Sequence, residues 1–232
     1  MVTTVVRPET GATIKPGPMV TVPPELEIQE DQLEGFAAGS GLNAPFLAGQ
    51  LSAFIAHERM GLNLLRTLHT RTDNPALRSR YADLESDTLE AVTAWERLII
   101  ALGGNPQYAS PAGRVTEGLD SKIVEALLLS GSADQMTFEQ ACLQAFLTGA
   151  NQCVANATLL AAFADEADDS PAKQEMTVSA EALLPPAQSH ADWATKMLRK
   201  MAVTQAKHPV AQKIGQAAEK AMDKVRNAVT PG

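Results

Sequence analysis

Aromatic side chains are scarce in this sequence, 4% of the residues within a hydrophobic content of 45%. Sheets fill their faces with aromatic and β-branched side chains, whereas here Ala is abundant. That balance argues against a β-sandwich and favours helices packed close together. Cysteine is scarcer still. Cys142 and Cys153 lie eleven residues apart on what reads as one helix, about 16 Å of rise and well beyond disulfide reach. They are expected to be free thiols in a reducing, cytoplasmic compartment. No basic start followed by an apolar run marks a leader, and no stretch of ~18 apolar residues is available to span a bilayer. Also missing are a Gly-rich phosphate loop, a paired-cysteine motif and a Ser/His/Asp order in strand context. Nucleotide and hydrolase readings therefore find no support.

What is present is a chain of 232 residues, enough for one domain with tails, and an uneven charge. The net charge is −8, but residues 190–232 carry eight Lys/Arg against three Asp/Glu, or +5, which leaves −13 on the remainder. A basic C-terminal tail facing an acidic body or an acidic partner follows from that split. Without interleaved aromatics it does not make a nucleic-acid surface.

Residues 1–33 hold five prolines and no helical period, which predicts an extended arm, either disordered or wrapped on a partner subunit. Glycines then break the chain, and Asn43 is placed to cap a first helix over about 44–70. A second, over about 75–103, carries the rows Leu77, Leu84, Ala91, Leu98 and Tyr81, Thr88, Trp95, Leu102, and stops at Gly103-Gly104-Asn105-Pro106. The short link at Asp73-Asn74-Pro75 makes the two an antiparallel hairpin. Residues 105–135 read as a long connection holding a short amphipathic helix, EGLDSKIVEALLLSG. A third long helix, about 136–167, is apolar over a wide arc, and a fourth, about 171–203, is expected to kink at Pro185-Pro186.

Beyond His208-Pro209 a last helix over 210–229 has the stripe Ala211, Ile214, Ala218, Met222, Val225 and Val229, with Lys213, Lys220, Lys224 and Arg226 opposite or beside it. That stripe is mostly Ala and lacks Trp or Phe, so docking on the bundle or on a second subunit is expected, not a membrane contact. No strand-period segment competes. The chain divides into an arm, 1–33, an all-α helical bundle, 34–203, and a basic amphipathic tail, 204–232.

One carboxylate breaks the pattern. In the first helix Leu47, Leu51, Phe54, Ile55, Leu62 and Leu65 form one stripe, and Glu58 occupies its middle. Burying that charge without a partner costs several kcal/mol, roughly, so neighbouring helices should answer it. Counting from the turn at Asp73 brings Thr88 level with Glu58, with Glu85 one turn earlier. His190 stands at the centre of the fourth helix's stripe, Met176, Leu183, Ala194, Met197 and Met201. The third helix offers only Ala150 and Cys153 at that height. His57, turned about 100° from Glu58 along a helix, is expected at a helix interface or in solvent. Trp95, Trp193 and the methionines read as packing.

In the stretches AFIAHERMGLNLLRTL, DLESDTLEAVTAWERLIIALGG and PPAQSHADWATKML, covering roughly residues 44–203, the chain resembles the ferritin-like superfamily of the bacterioferritin and rubrerythrin kind. The resemblance implies an antiparallel four-helix bundle with a long crossover between its second and third helices, here followed by an extra C-terminal helix. It also implies a di-metal site, with a Glu from each of two helices and Glu-x-x-His from each of the other two. Carried over by position, Glu58 matches the first-helix ligand. Glu85 with Thr88 stands where Glu-x-x-His belongs, with Thr replacing His, and Glu90 with Thr93 is an alternative that faces outward. His190 matches the fourth-helix His, although Ala187 precedes it where a Glu belongs, and the third helix supplies no Glu in the middle of its stripe.

Glu58, Glu85 and His190 would suffice for a single Fe, Mn or Zn ion, with Cys153 a possible fourth donor. Two functions are carried forward. In one, the core binds one or two iron or manganese ions and supports oxidoreductase-type chemistry. In the other, the site is a vestige without cofactor, held as a structural polar layer, and the protein is an interaction or assembly module working through residues 1–33 and 204–232. A homodimer or higher homo-oligomer is expected in either case.

Overall fold

The computed structural model describes Leu33, residues 35–129 and residues 134–207. These form five helices and no strand: α1 Ala44–Arg71, α2 Pro75–Ala101, α3 Pro111–Leu129, α4 Gln135–Glu166 and α5 Pro171–Lys207. The expected arm and last helix lie outside the described residues, apart from Leu33, which packs against the core.

Local chemistry sets the ends. Asn43 Oδ1 accepts from the Phe46 amide (3.1 Å) and Asn74 Oδ1 from the Ala76 amide (3.0 Å), each just before a proline in the first turn. Asp134 caps α4 in the same way, through the Thr137 amide (3.1 Å). Past α2 the chain turns at Gly103, whose φ of +83° suits a residue without a Cβ.

Helices α1 and α2 pack on one another across the three-residue link at 72–74, and α4 and α5 across residues 167–170. The two pairs meet where α1 touches α4 and α2 touches α5. Helix α5 continues through Pro185 and Pro186 without interruption. Each of those prolines lacks the amide that would bond back one turn, so the helix there is held by its neighbours and not by its own ladder.

The interval between α2 and α4 departs from the expected short helix. Helix α3 begins six residues earlier, at Pro111, and lies along α1. Its first turn is fixed by a knot of hydroxyls. Ser52 Oγ donates to the Tyr108 carbonyl (2.6 Å) and accepts from the Ser110 amide (3.0 Å), while Ser110 Oγ donates to the Gly49 carbonyl (3.1 Å). Gly113 permits the approach: a Cβ there would meet Ser52 Oγ at 2.6 Å.

The apolar core is split in two. One cluster gathers Leu47, Leu51, Phe54, Trp95, Leu98 and Leu160 toward the start of α1, and the other Leu65, Leu68, Tyr81, Leu84, Phe146 and Ala194 toward its end. Between them lies a layer of polar side chains.

Candidate functional site

Helix α1 brings Glu58 into that layer because every apolar neighbour on its stripe faces the same way. The residue is 6% exposed. Thr88 from α2, Ala150 and Cys153 from α4, and Ala187 and His190 from α5 face it around a cavity of about 40 Å³. Gly61 and Gly149 open the cavity wall where larger residues would close it. Glu58, Thr88 and His190 therefore line one space. A cavity of this size accepts about one water molecule, or a few.

Glu85 does not join them. Its carboxylate pairs with Arg66 Nε at 2.9 Å near the surface between α1 and α2, and it does not line the cavity. The two residues lie three apart on α2, so Glu85 stands about 60° from Thr88, far enough for its flexible side chain to turn outward to a cation. Glu90 is exposed, and the Thr93 hydroxyl is spent on the Leu89 carbonyl (2.9 Å).

His190 is held by Asp87, Nε2 to Oδ2 at 3.1 Å, with the Phe146 ring 6.3 Å from its own. Burial lowers its pKa, opposed by Asp87 and assisted by the Arg80 charge, and the net effect is a lowering. Burial raises the pKa of Glu58, against weaker opposition from the His57 charge, the Cys153 thiol and the Trp95 indole. Cys153 is itself pushed well up by burial and by the neighbouring Glu58, so its sulfur keeps its proton. The indole N–H of Trp95 is buried and makes no hydrogen bond among the described residues.

The strongest polar contact beside the layer involves a pair the sequence did not suggest. His57 is 4% exposed; its Nδ1 lies 2.7 Å from Asp120 Oδ2 on α3 and its Nε2 3.0 Å from the Gly149 carbonyl on α4. A carbonyl can only accept, so Nε2 carries a hydrogen, and the carboxylate at Nδ1 favours a hydrogen there too. Burial alone would lower the pKa of this imidazole. The bond and charge of Asp120, with help from Gly149 and Glu58, outweigh burial and raise it. His57 thus joins three helices as an imidazolium. Gly113, Asp120 and Leu127 fall at seven-residue spacing, a row that marks the inner face of α3 and would have exposed the partnership.

The donor set does not fit a di-metal centre. Among the described residues no group of three or more His, Cys, Asp or Glu converges as metal ligands do. Glu58 keeps a protonation-favouring environment, Glu85 belongs to Arg66, and His190 belongs to Asp87.

No family model matches the chain, and no curated protein does. Among solved structures it is similar to YcfI from Rhodopseudomonas palustris, described as "a putative structural protein", with a TM-score of 0.56 at 15% identity. The match covers 65% of this chain and 90% of that one. At such identity the likeness concerns the fold alone.

Proposed function

We propose that the protein is a ferritin-like bundle that works as an interaction or assembly module, its inner polar layer serving packing and not coordination. The observation that carries this reading is the engagement of each candidate ligand with a protein partner: Glu85 with Arg66, His190 with Asp87, and Cys153 as a protonated thiol beside Glu58. Metal binding requires deprotonated ligands aimed at one point, and releasing Glu85 from Arg66 would still leave no Glu of α4 at the cavity. The order of contacts, α2 to α1 to α4 to α5 and back to α2, supports the ferritin-like arrangement. An assembly role is supported by α3. Its outward face carries Val115, Leu119 and Leu129, 62–74% exposed, around Lys122, which pairs with Glu125. Such an apolar face with a charged centre suits a second copy of the chain.

The second reading, iron or manganese held by Glu58, Glu85 and His190, draws support from Glu58 and His190 lining the same cavity. Metal analysis separates the two. Full-length protein purified without chelators should carry less than a tenth of an equivalent of metal, and its melting temperature should not move with added Fe(II) or Mn(II). One equivalent of metal, lost in both Glu58→Ala and His190→Ala, would establish the second reading instead. For the assembly role, Leu119→Lys should lower the mass measured by light scattering; a wild-type chain that is already monomeric removes that role.

A further inference from the structure

A groove of about 800 Å³ opens at the end of the bundle where α1 turns into α2. Its walls are Pro75 and Leu77 from the start of α2, Met136 from the start of α4, and Trp193, Met197 and Met201 from the end of α5. Met136 is 39% exposed and Trp193 is half-buried, an apolar surface that nothing among the described residues covers. At its floor lies Glu139, 3% exposed. One carboxylate oxygen of Glu139 accepts from the Thr72 hydroxyl and from Gln135 Nε2, while the other, Oε2, is buried and has no partner among the described residues. A buried acceptor left open is costly, and Glu139 lines a groove large enough to admit a donor.

We propose that the C-terminal segment of the same chain, residues 208–232, folds back into this groove and lays its apolar stripe on Met136, Trp193, Met197 and Met201. Three observations converge on that occupant. Helix α5 is described as far as Lys207, within one turn of Thr204 on the groove wall, so the segment that follows starts at the site. His208-Pro209 follows at once, and a proline there removes the amide needed to continue a helix straight on. The sequence beyond it repeats Ala211, Ile214, Ala218, Met222, Val225 and Val229 at helical spacing. Their side chains are small enough to seat between the long methionines.

Reach is sufficient. The α5 wall of the groove, from Trp193 to Thr204, spans about 16 Å, and a 20-residue helix runs about 30 Å. Glu139 Oε2 needs a donor, and on a helix Arg226 stands at the edge of the apolar stripe while Lys213, Lys220 and Lys224 fall on the opposite face. The groove's own cations do not fill that need. Arg80 sits over the Trp193 ring, 5.5 Å from its centroid, and Lys200 is exposed at the rim.

The proposal is independent of the metal question and of self-association through α3. It is tested on the full chain by amide hydrogen exchange, comparing wild type with Ile214→Asp combined with Met222→Asp. Exchange over 72–80, 135–140 and 196–204 should quicken at least tenfold in the variant, with 47–65 unchanged. Equal rates in the groove segments, or a uniform rise across the chain, overturn it. A disulfide between Met201→Cys and Ile214→Cys, formed by mild oxidation of an equimolar mixture of isotope-labelled and unlabelled double variant, decides whose tail is bound. Links between positions 201 and 214 should join residues of one chain. Links that join labelled to unlabelled chains, or none at all, overturn the proposal.

Discussion

Glu58 and His57 are neighbours in sequence whose pKa values are both raised in the fold, and their protonation governs how stability should vary with pH. Glu58 has its pKa raised in the fold, first by burial. Its contribution is therefore complete below the unfolded value of 4.5 and is lost as pH rises through the folded value. His57 is also raised, so its contribution is complete below 6.5 and is lost as pH rises through its folded pKa. His190 has the opposite sign: lowered chiefly by burial, it contributes fully above 6.5 and loses that contribution as pH falls. Glu58→Gln removes a buried charge while keeping the side chain's shape. Its melting temperature should exceed that of wild type at pH 8, and the difference should shrink toward pH 4.5. A variant less stable than wild type at pH 8 would mean that ionised Glu58 holds a favourable contact. Gly61 offers a second test at this scale. A Cβ there would sit 3.9 Å from Thr88 Cγ2, ordinary contact distance on the cavity wall. Gly61→Ala should therefore gain about 0.5–1 kcal/mol from helix propensity, measured by urea denaturation.

Among the elements, α3 shows what the sequence made readable and what it hid. The four long helices follow from apolar residues at 3.6-residue spacing and from Asn43, Asn74, Asp134 and Ser170 before their first turns, and their bounds fall within a few residues of expectation. Helix α3 hides because its first two turns hold Arg114, Thr116, Glu117 and Gly118, and only Gly113 and Leu127 of the whole helix are buried. Its inner face is the row Gly113, Asp120 and Leu127, a glycine, an acid and one leucine that make no apolar stripe. Glu85 is hidden differently. A helical count places it near Thr88, but the position of Arg66 on the adjacent helix decides where its carboxylate goes. Glu58 and His190 were legible because each interrupts an otherwise apolar stripe. Gly113→Val should push α3 off Ser52, since even a Cβ would meet Ser52 Oγ at 2.6 Å and its backbone oxygen at 3.2 Å. A loss of about 1–3 kcal/mol is expected from overpacking. Hydrogen exchange should quicken over 111–127 more than over α2, and equal protection in the two helices would show that α3 does not depend on this approach.

For the molecule as a whole, the division of its core matters most. An apolar cluster lies on either side of a band of carboxylate, hydroxyl, thiol and imidazole. Sliding any one helix by a turn would set Glu58 against leucines, or leave a leucine opposite His190, and each misfit carries the penalty of an unsolvated polar group. The band thus acts as a key in a keyway: many greasy faces could mate with one another, but only one axial alignment lets the four helices close. A protein so poor in aromatic wedges has few other means of choosing among near-equivalent packings, which gives the acid at its centre a part in selecting one of them.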